Sequence, residues 1–168
     1  MSADYKPVLK PSETKMETAF VIERANYIEY VLKKILIKYI SPPDDRVLFL
    51  NDIILNNSML NFGAKVKAFL YLVEKNKWEK IKQEHFHKII NVRNAFAHCD
   101  TVTQNIKITM DDNGCSQVAD AYYYLESVKS SGKFIQTKRE DALHEFTQSY
   151  VLVKEYLHRI EGSITTTY

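Results

Sequence analysis

Arg93-Asn94-Ala95-Phe96-Ala97-His98 is the stretch of this chain best equipped for chemistry. Arginine is permanently cationic and forks onto phosphate oxygens. Histidine, with an ordinary pKa of roughly 6.5, exchanges a proton near neutral pH. The amide Asn94 stands between them on an otherwise apolar element. Together they are an economical kit for cutting a phosphodiester of RNA without a metal.

The segment that must carry them has helical periodicity from about Trp78 to Ala97. At about 100° per residue, Trp78, Ile81, His85, Ile89, Val92 and Phe96 fall on one side. Lys80, His87, Asn91, Asn94 and His98 fall nearly opposite. Asn94 and His98 are four residues apart and hence neighbours on the helix surface. Arg93 lies about 140° around from His98, near the edge of the apolar side. One regular helix therefore does not aim both side chains at one phosphate. Either the helix ends near Ala97 and lets His98 swing, or two copies face each other and pool their side chains. The bland alternative is that Arg93 and His98 are two cations favoured by the dipole at a helix C-terminus.

Upstream, Lys75, Lys77, Lys80, Lys82 and Lys88 could make a phosphate track. Glu74, Glu79 and Glu84 interleave with them, as on an ordinary solvated face. Lys80, His87, Lys88 and Asn91 are the candidate RNA contacts. His85 and His87, with His98-Cys99-Asp100, hint at zinc, but rings two positions apart on a helix diverge, and His85 falls on the core stripe. A satisfied core histidine is the better reading, and no metal or cofactor is expected. Tyr122-Tyr123-Tyr124 could stack bases, although alternation on a strand splits them between two faces and favours sheet packing.

The other elements follow from the same periodicity. Residues 1–11 read as a flexible leader, and 12–168 as one domain. A first helix capped by Ser12 runs to about Ile40, with Ile28, Val31, Leu32, Ile35, Leu36 and Tyr39 inward, and Ser41-Pro42-Pro43 stops it. A second, capped by Asp44 or Asp45, reaches Leu55. A third covers about Leu60 to Lys75, with Phe62, Val66, Phe69, Leu70 and Val73 inward. Strands alternate around Ile106, Ile108 and Met110, at Ala121–Leu125 and at Lys133–Gln136, with turn signals at Asp111–Gly114 and Ser130–Gly132. The last helix spans about Arg139 to Glu161 on a stripe of Leu143, Phe146, Tyr150, Val153, Leu157 and Ile160. That stripe is under three heptads, so bundle packing or a dimer contact suits it better than a coiled coil. The expected fold is mainly α, a helical bundle with a small antiparallel β insert at about 105–137.

The 168 residues are enough for one domain with a real core. A hydrophobic content of 45% and a charged content of 26% fit a globular protein. The net charge of +2 is too small to argue for nucleic-acid binding by itself. Cys99 and Cys115 form no Cys-x-x-Cys pair, which argues against a disulfide framework or zinc ribbon. The most apolar stretch, Ile28 to Ile40, is interrupted by Lys33, Lys34 and Lys38, so no membrane span is expected and the cytoplasm is the default compartment.

Arg93-Asn94-x-x-Ala97-His98 after an amphipathic helix resembles the signature of the HEPN superfamily: Arg, a polar residue (often Asn), then His after four to six intervening residues. Leu60-Asn61-Phe62-Gly63-Ala64-Lys65-Val66-Lys67 through Ile90-Asn91-Val92 resembles mannitol-repressor-like members. The resemblance covers about residues 12–100 and the last helix. It implies a four- or five-helix bundle that dimerises, bringing two motifs together. It also implies a metal-independent endoribonuclease of toxin, phage-defence or RNA-processing type. Arg93 would hold the phosphate, His98 would act as general base or acid, and Asn94 would orient His98 or donate to phosphate. The alternative it implies is a non-catalytic regulatory or interaction module of mannitol-repressor type. In members paired with a nucleotidyltransferase antitoxin, a Tyr two residues after the His is modified. Asp100 stands there in this chain, so a neutralising partner protein would have to act by another route.

Overall fold

The computed structural model describes residues 11–98, 103–110, 116–128 and 134–164. The first ten residues of the leader, the two turn signals and His98's neighbours Cys99 and Asp100 lie outside the described residues, whereas Pro11 already starts the first helix, so Ser12 stands within it and not at its cap. The fold is mainly helical, with a small antiparallel sheet before the last helix. The helices are α1 (Pro11–Ile40), α2 (Asp44–Phe49), α3 (Phe62–Lys75), α4 (Gln83–His98) and α5 (Arg139–Ser163). The strands are β1 (Thr103–Met110), β2 (Ser116–Val128) and β3 (Phe134–Lys138), in the order β1-β2-β3. The chain divides into two compact units. One holds the described residues of Met1–Ile22 and Val92–Phe146, and the other holds those of Glu23–Asn91 and Thr147–Tyr168.

In the second unit the inward stripe of α1 is as expected. Ile28, Val31, Leu32, Ile35 and Leu36 are buried, while Tyr39 is half-buried. The corresponding part of α5 buries Val153, Leu157 and Ile160, and adds Ser149 and Tyr156 to the predicted stripe. Phe69 of α3 meets Phe86 and Tyr156 at ring separations of 6.0 Å each. Leu36, Leu55 and Leu72 form a smaller cluster covered by Tyr39, Leu60 and Trp78. Each of these large side chains contributes roughly 1.5–3 kcal/mol by leaving water.

Three boundaries differ from expectation. Helix α4 begins at Gln83, not Trp78, because Trp78 belongs to the end of α3. Lys77 takes a left-handed φ of 54°, its N–H donates to the Glu74 carbonyl, and the Trp78 N–H donates to the Val73 carbonyl. That pair of bonds is a Schellman stop, and the Trp78 ring then packs edge-on against Tyr39 at 6.2 Å. Asp44 and Asp45 stand in the first turn of α2, where carboxylates are favoured, but Pro43 holds the cap position and no side chain caps it. Residues Leu50–Ile54 continue α2 as a π-helical turn. Helix α3 starts at Phe62, with the Asn61 side chain accepting from the Ala64 N–H at 2.9 Å.

Within the first unit the strands are longer than their alternation suggested, β2 above all. Its pairing with β1 shifts register between Lys107 and Ile108, and it pairs with β3 from Tyr124↔Lys138 to Val128↔Phe134. Leu125 is buried, and Tyr123 and Tyr124 are half-buried, as sheet packing requires. No helix among the described residues is long and apolar enough to cross a membrane.

Candidate functional site

The last two turns of α4 carry the motif, and they are anchored from within the first unit. Phe96 is 3% exposed, and the Arg139 guanidinium lies over its ring, 4.4 Å from the centroid. Arg139 is itself 3% exposed. A buried cation at the start of α5 is opposed by the helix dipole and by desolvation. Compensation comes from a side chain and a carbonyl of α1: Nε donates to the Glu17 carboxylate, and Nη2 donates to the Thr14 carbonyl at 3.1 Å. Phe96 therefore fixes the rotation of the α4 end, and with it the directions of Arg93, Asn94 and His98.

With Phe96 inward, Asn94 and His98 are exposed and Arg93 is half-buried. The helix is described as far as His98, its last residue, one position beyond Ala97. The Cα–Cβ directions of Arg93 and His98 diverge as the helical repeat requires. The Arg93 side chain partly closes the gap. Its Nη1 donates to the Asn94 Oδ1 at 3.0 Å, which turns the guanidinium toward the face Asn94 shares with His98. The motif thus presents a fork of donors, an amide and an imidazole at one exposed helix end.

The upstream candidates fall in the second unit. Lys80, His87 and Asn91 are exposed. Lys88 is ion-paired with Glu84 at 3.1 Å, and its ammonium holds the Glu84 carboxyl below the usual carboxylate range. Lys75 lies over the Tyr39 ring at 6.0 Å, and Glu79 faces Arg159 at 3.4 Å. Lys75, Glu79 and Lys88 are thus engaged with their own neighbours. His85 is half-buried at the edge of the core, not within it, and its Nδ1 lies 3.3 Å from the Ser149 hydroxyl. Phe86, absent from the expected stripe, is fully buried, because the core face of α4 runs through Phe86, Ile89 and Phe96.

Sequence reasoning missed two buried polar groups. Arg139 and its partner Glu17 are 122 residues apart, beyond any local spacing signal. In the second unit Lys65, 1% exposed, pairs with Glu29 and also donates to the Asn57 Oδ1 at 2.7 Å, while Asn57 donates to Glu29 at 3.3 Å. The one hint in the sequence is a lysine on the inward side of α3, one position before Val66.

No protein-family model, curated protein or solved structure matches this chain.

Proposed function

We propose that the protein is a metal-independent endoribonuclease of HEPN type that works as a homodimer, with Arg93, Asn94 and His98 as its site. The observation that carries the reading is the exposed end of α4, where Arg93 is tied to Asn94 on the face that also bears His98. In the reaction a ribose 2′-OH attacks the adjacent phosphorus and the 5′-oxygen leaves. Arg93 binds the non-bridging oxygens and offsets the charge that develops on them. One proton must leave the 2′-OH and another must reach the leaving oxygen. A single imidazole cannot serve both positions at once, so a second copy supplies the second His98. This is the physical reason for a composite site.

The exposed Leu48 (70%), Phe49 (58%) and Met59 (67%) favour a second reading, a regulatory module that binds a protein partner through α2 and the following turn. The two readings separate on one substrate comparison. The ribonuclease cleaves an RNA pool in EDTA, leaves 2′,3′-cyclic phosphate ends and spares the same sequences made with 2′-deoxyribose. Cleavage of the deoxy strand would contradict the mechanism, and inertness toward RNA would favour the module.

A further inference from the structure

A strip of tyrosines and cations on the second unit, between α1 and α5, has no part in the proposed cleavage site. The positions Arg24, Tyr27, Lys34 and Lys38 recur at three, seven and four residues and so share one side of α1. Tyr150, Lys154, His158 and Glu161 do the same on α5. The two rows interleave. Arg24 lies over the Tyr150 ring at 5.8 Å, and Lys154 over the Tyr27 ring at 5.8 Å. The Tyr27 hydroxyl meets His158 Nε2 at 2.9 Å, and their rings are 6.1 Å apart. Lys34 lies 5.7 Å from the centre of the Tyr30 ring, which is 57% exposed. At the far end the Glu161 carboxylate takes Lys34 at 2.5 Å and lies 4.0 Å from His158 Nδ1, and its carbonyl takes Lys38 at 2.8 Å. From Arg24 to Lys38 the strip runs about 21 Å along α1.

We propose that this strip binds single-stranded RNA, with a base stacking on the exposed Tyr30 and phosphates meeting Arg24 and Lys154. The choice of RNA rests on the ribonuclease reading; the ligand chemistry rests on the strip. Cations alone would suit any polyanion. Alternating rings and cations match a chain that alternates flat bases with phosphates, and stacking tolerates any base. Glu161 reduces the charge at the Lys34 end, so the phosphate path lies toward Arg24 and Lys154. This differs from the face of Lys80, His87, Lys88 and Asn91, whose lysines alternate with carboxylates and carry no aromatic ring.

The test is fluorescence anisotropy of a labelled twelve-nucleotide oligouridine in EDTA, using full-length protein in a His98→Ala background so that cleavage cannot intervene. Tyr30→Ala is expected to weaken binding about fivefold or more. Lys154→Gln is expected to weaken it and to flatten the slope of log affinity against log salt by about 0.7. Tyr30→Trp and Lys154→Arg should restore binding, which separates a ligand contact from a folding defect. Unchanged affinity in both loss variants would overturn the strip, as would no measurable binding by the background protein. Equal competition by oligoglutamate, with Tyr30→Ala without effect, would also overturn it. If wild-type protein cleaves RNA while the strip variants bind normally, the strip fails and the ribonuclease reading stands. If the protein never cleaves but binds RNA through the strip, the strip stands and the ribonuclease reading fails.

Discussion

In the proposed site, Arg93 approaches the face of His98 only through its side chain. The helix points its Cβ away from His98, and the hydrogen bond to Asn94 brings the guanidinium back. A planar fork can hold Asn94 with one nitrogen and phosphate with the others, whereas an ammonium is a point charge on a flexible stem. Arg93→Lys is therefore expected to lower kcat/KM by about tenfold or more, corresponding to roughly 1.4 kcal/mol in the transition state. Thermal melts would show the fold intact. Full activity in the lysine variant would show that the planar fork is not required. Tyr156 supplies a second residue-scale test, unrelated to catalysis. Its hydroxyl is buried and donates to the Glu79 carbonyl at 2.7 Å. Burial, with Glu79 nearby, pushes its pKa up from 10.0 to about 12. The folded state thus keeps a proton that the unfolded chain loses above about pH 10. The associated stability is present below that pH and is lost as pH rises toward about 12, on the order of 3 kcal/mol in total. Tyr156→Phe should give a flatter decline in urea midpoint between about pH 9.5 and 11.5.

At the scale of elements, the buried ion pairs explain what could and could not be read from the chain. The stripes of α1 and α5 were legible because helical burial repeats every three or four residues, and Ile28, Leu32, Ile35, Val153 and Leu157 obey that repeat. The antiparallel strands were legible through the alternation of Ile106, Ile108 and Met110. The start of α4 was not, because Trp78 fits a helical stripe while a Schellman stop, set by backbone conformation at Lys77, assigns it to the preceding turn. At the candidate site, the identity and angular separation of Arg93 and His98 follow from sequence and helical geometry. The bond from Arg93 to Asn94 depends on a rotamer, and the clamp of Arg139 on Phe96 joins distant segments, so neither has a sequence signature. The Glu29–Lys65–Asn57 group has the same character, tying α1 to α3 and to the turn before it. Lys65→Ala should cost about 3–5 kcal/mol, since Glu29 is left buried without its cation. The double change Glu29→Leu with Lys65→Met should recover most of that loss in urea unfolding. Equal instability of the double variant would mean that the ion pair itself, and not an orphaned charge, holds the helices together.

For the whole molecule the proposed composite site turns on assembly. If two copies of His98 are needed for one cleavage event, specific activity must depend on protein concentration. At concentrations below the dimer dissociation constant, the rate should rise with the square of protein concentration. Above it the rate should rise linearly, and sedimentation equilibrium should place the change of mass at the same concentration. A rate linear throughout, from a species of monomer mass, would remove the composite site and leave each α4 end to act alone. The proposed catalysis depends most on the imidazole at the end of α4. The measurement that tests it most directly is RNA cleavage in EDTA by wild-type protein beside His98→Ala, with circular dichroism to establish that both are folded. A loss of about 10²–10⁴-fold in the variant is expected. Cleavage by His98→Ala at the wild-type rate would contradict a catalytic role for His98, and with it the ribonuclease site at the end of α4.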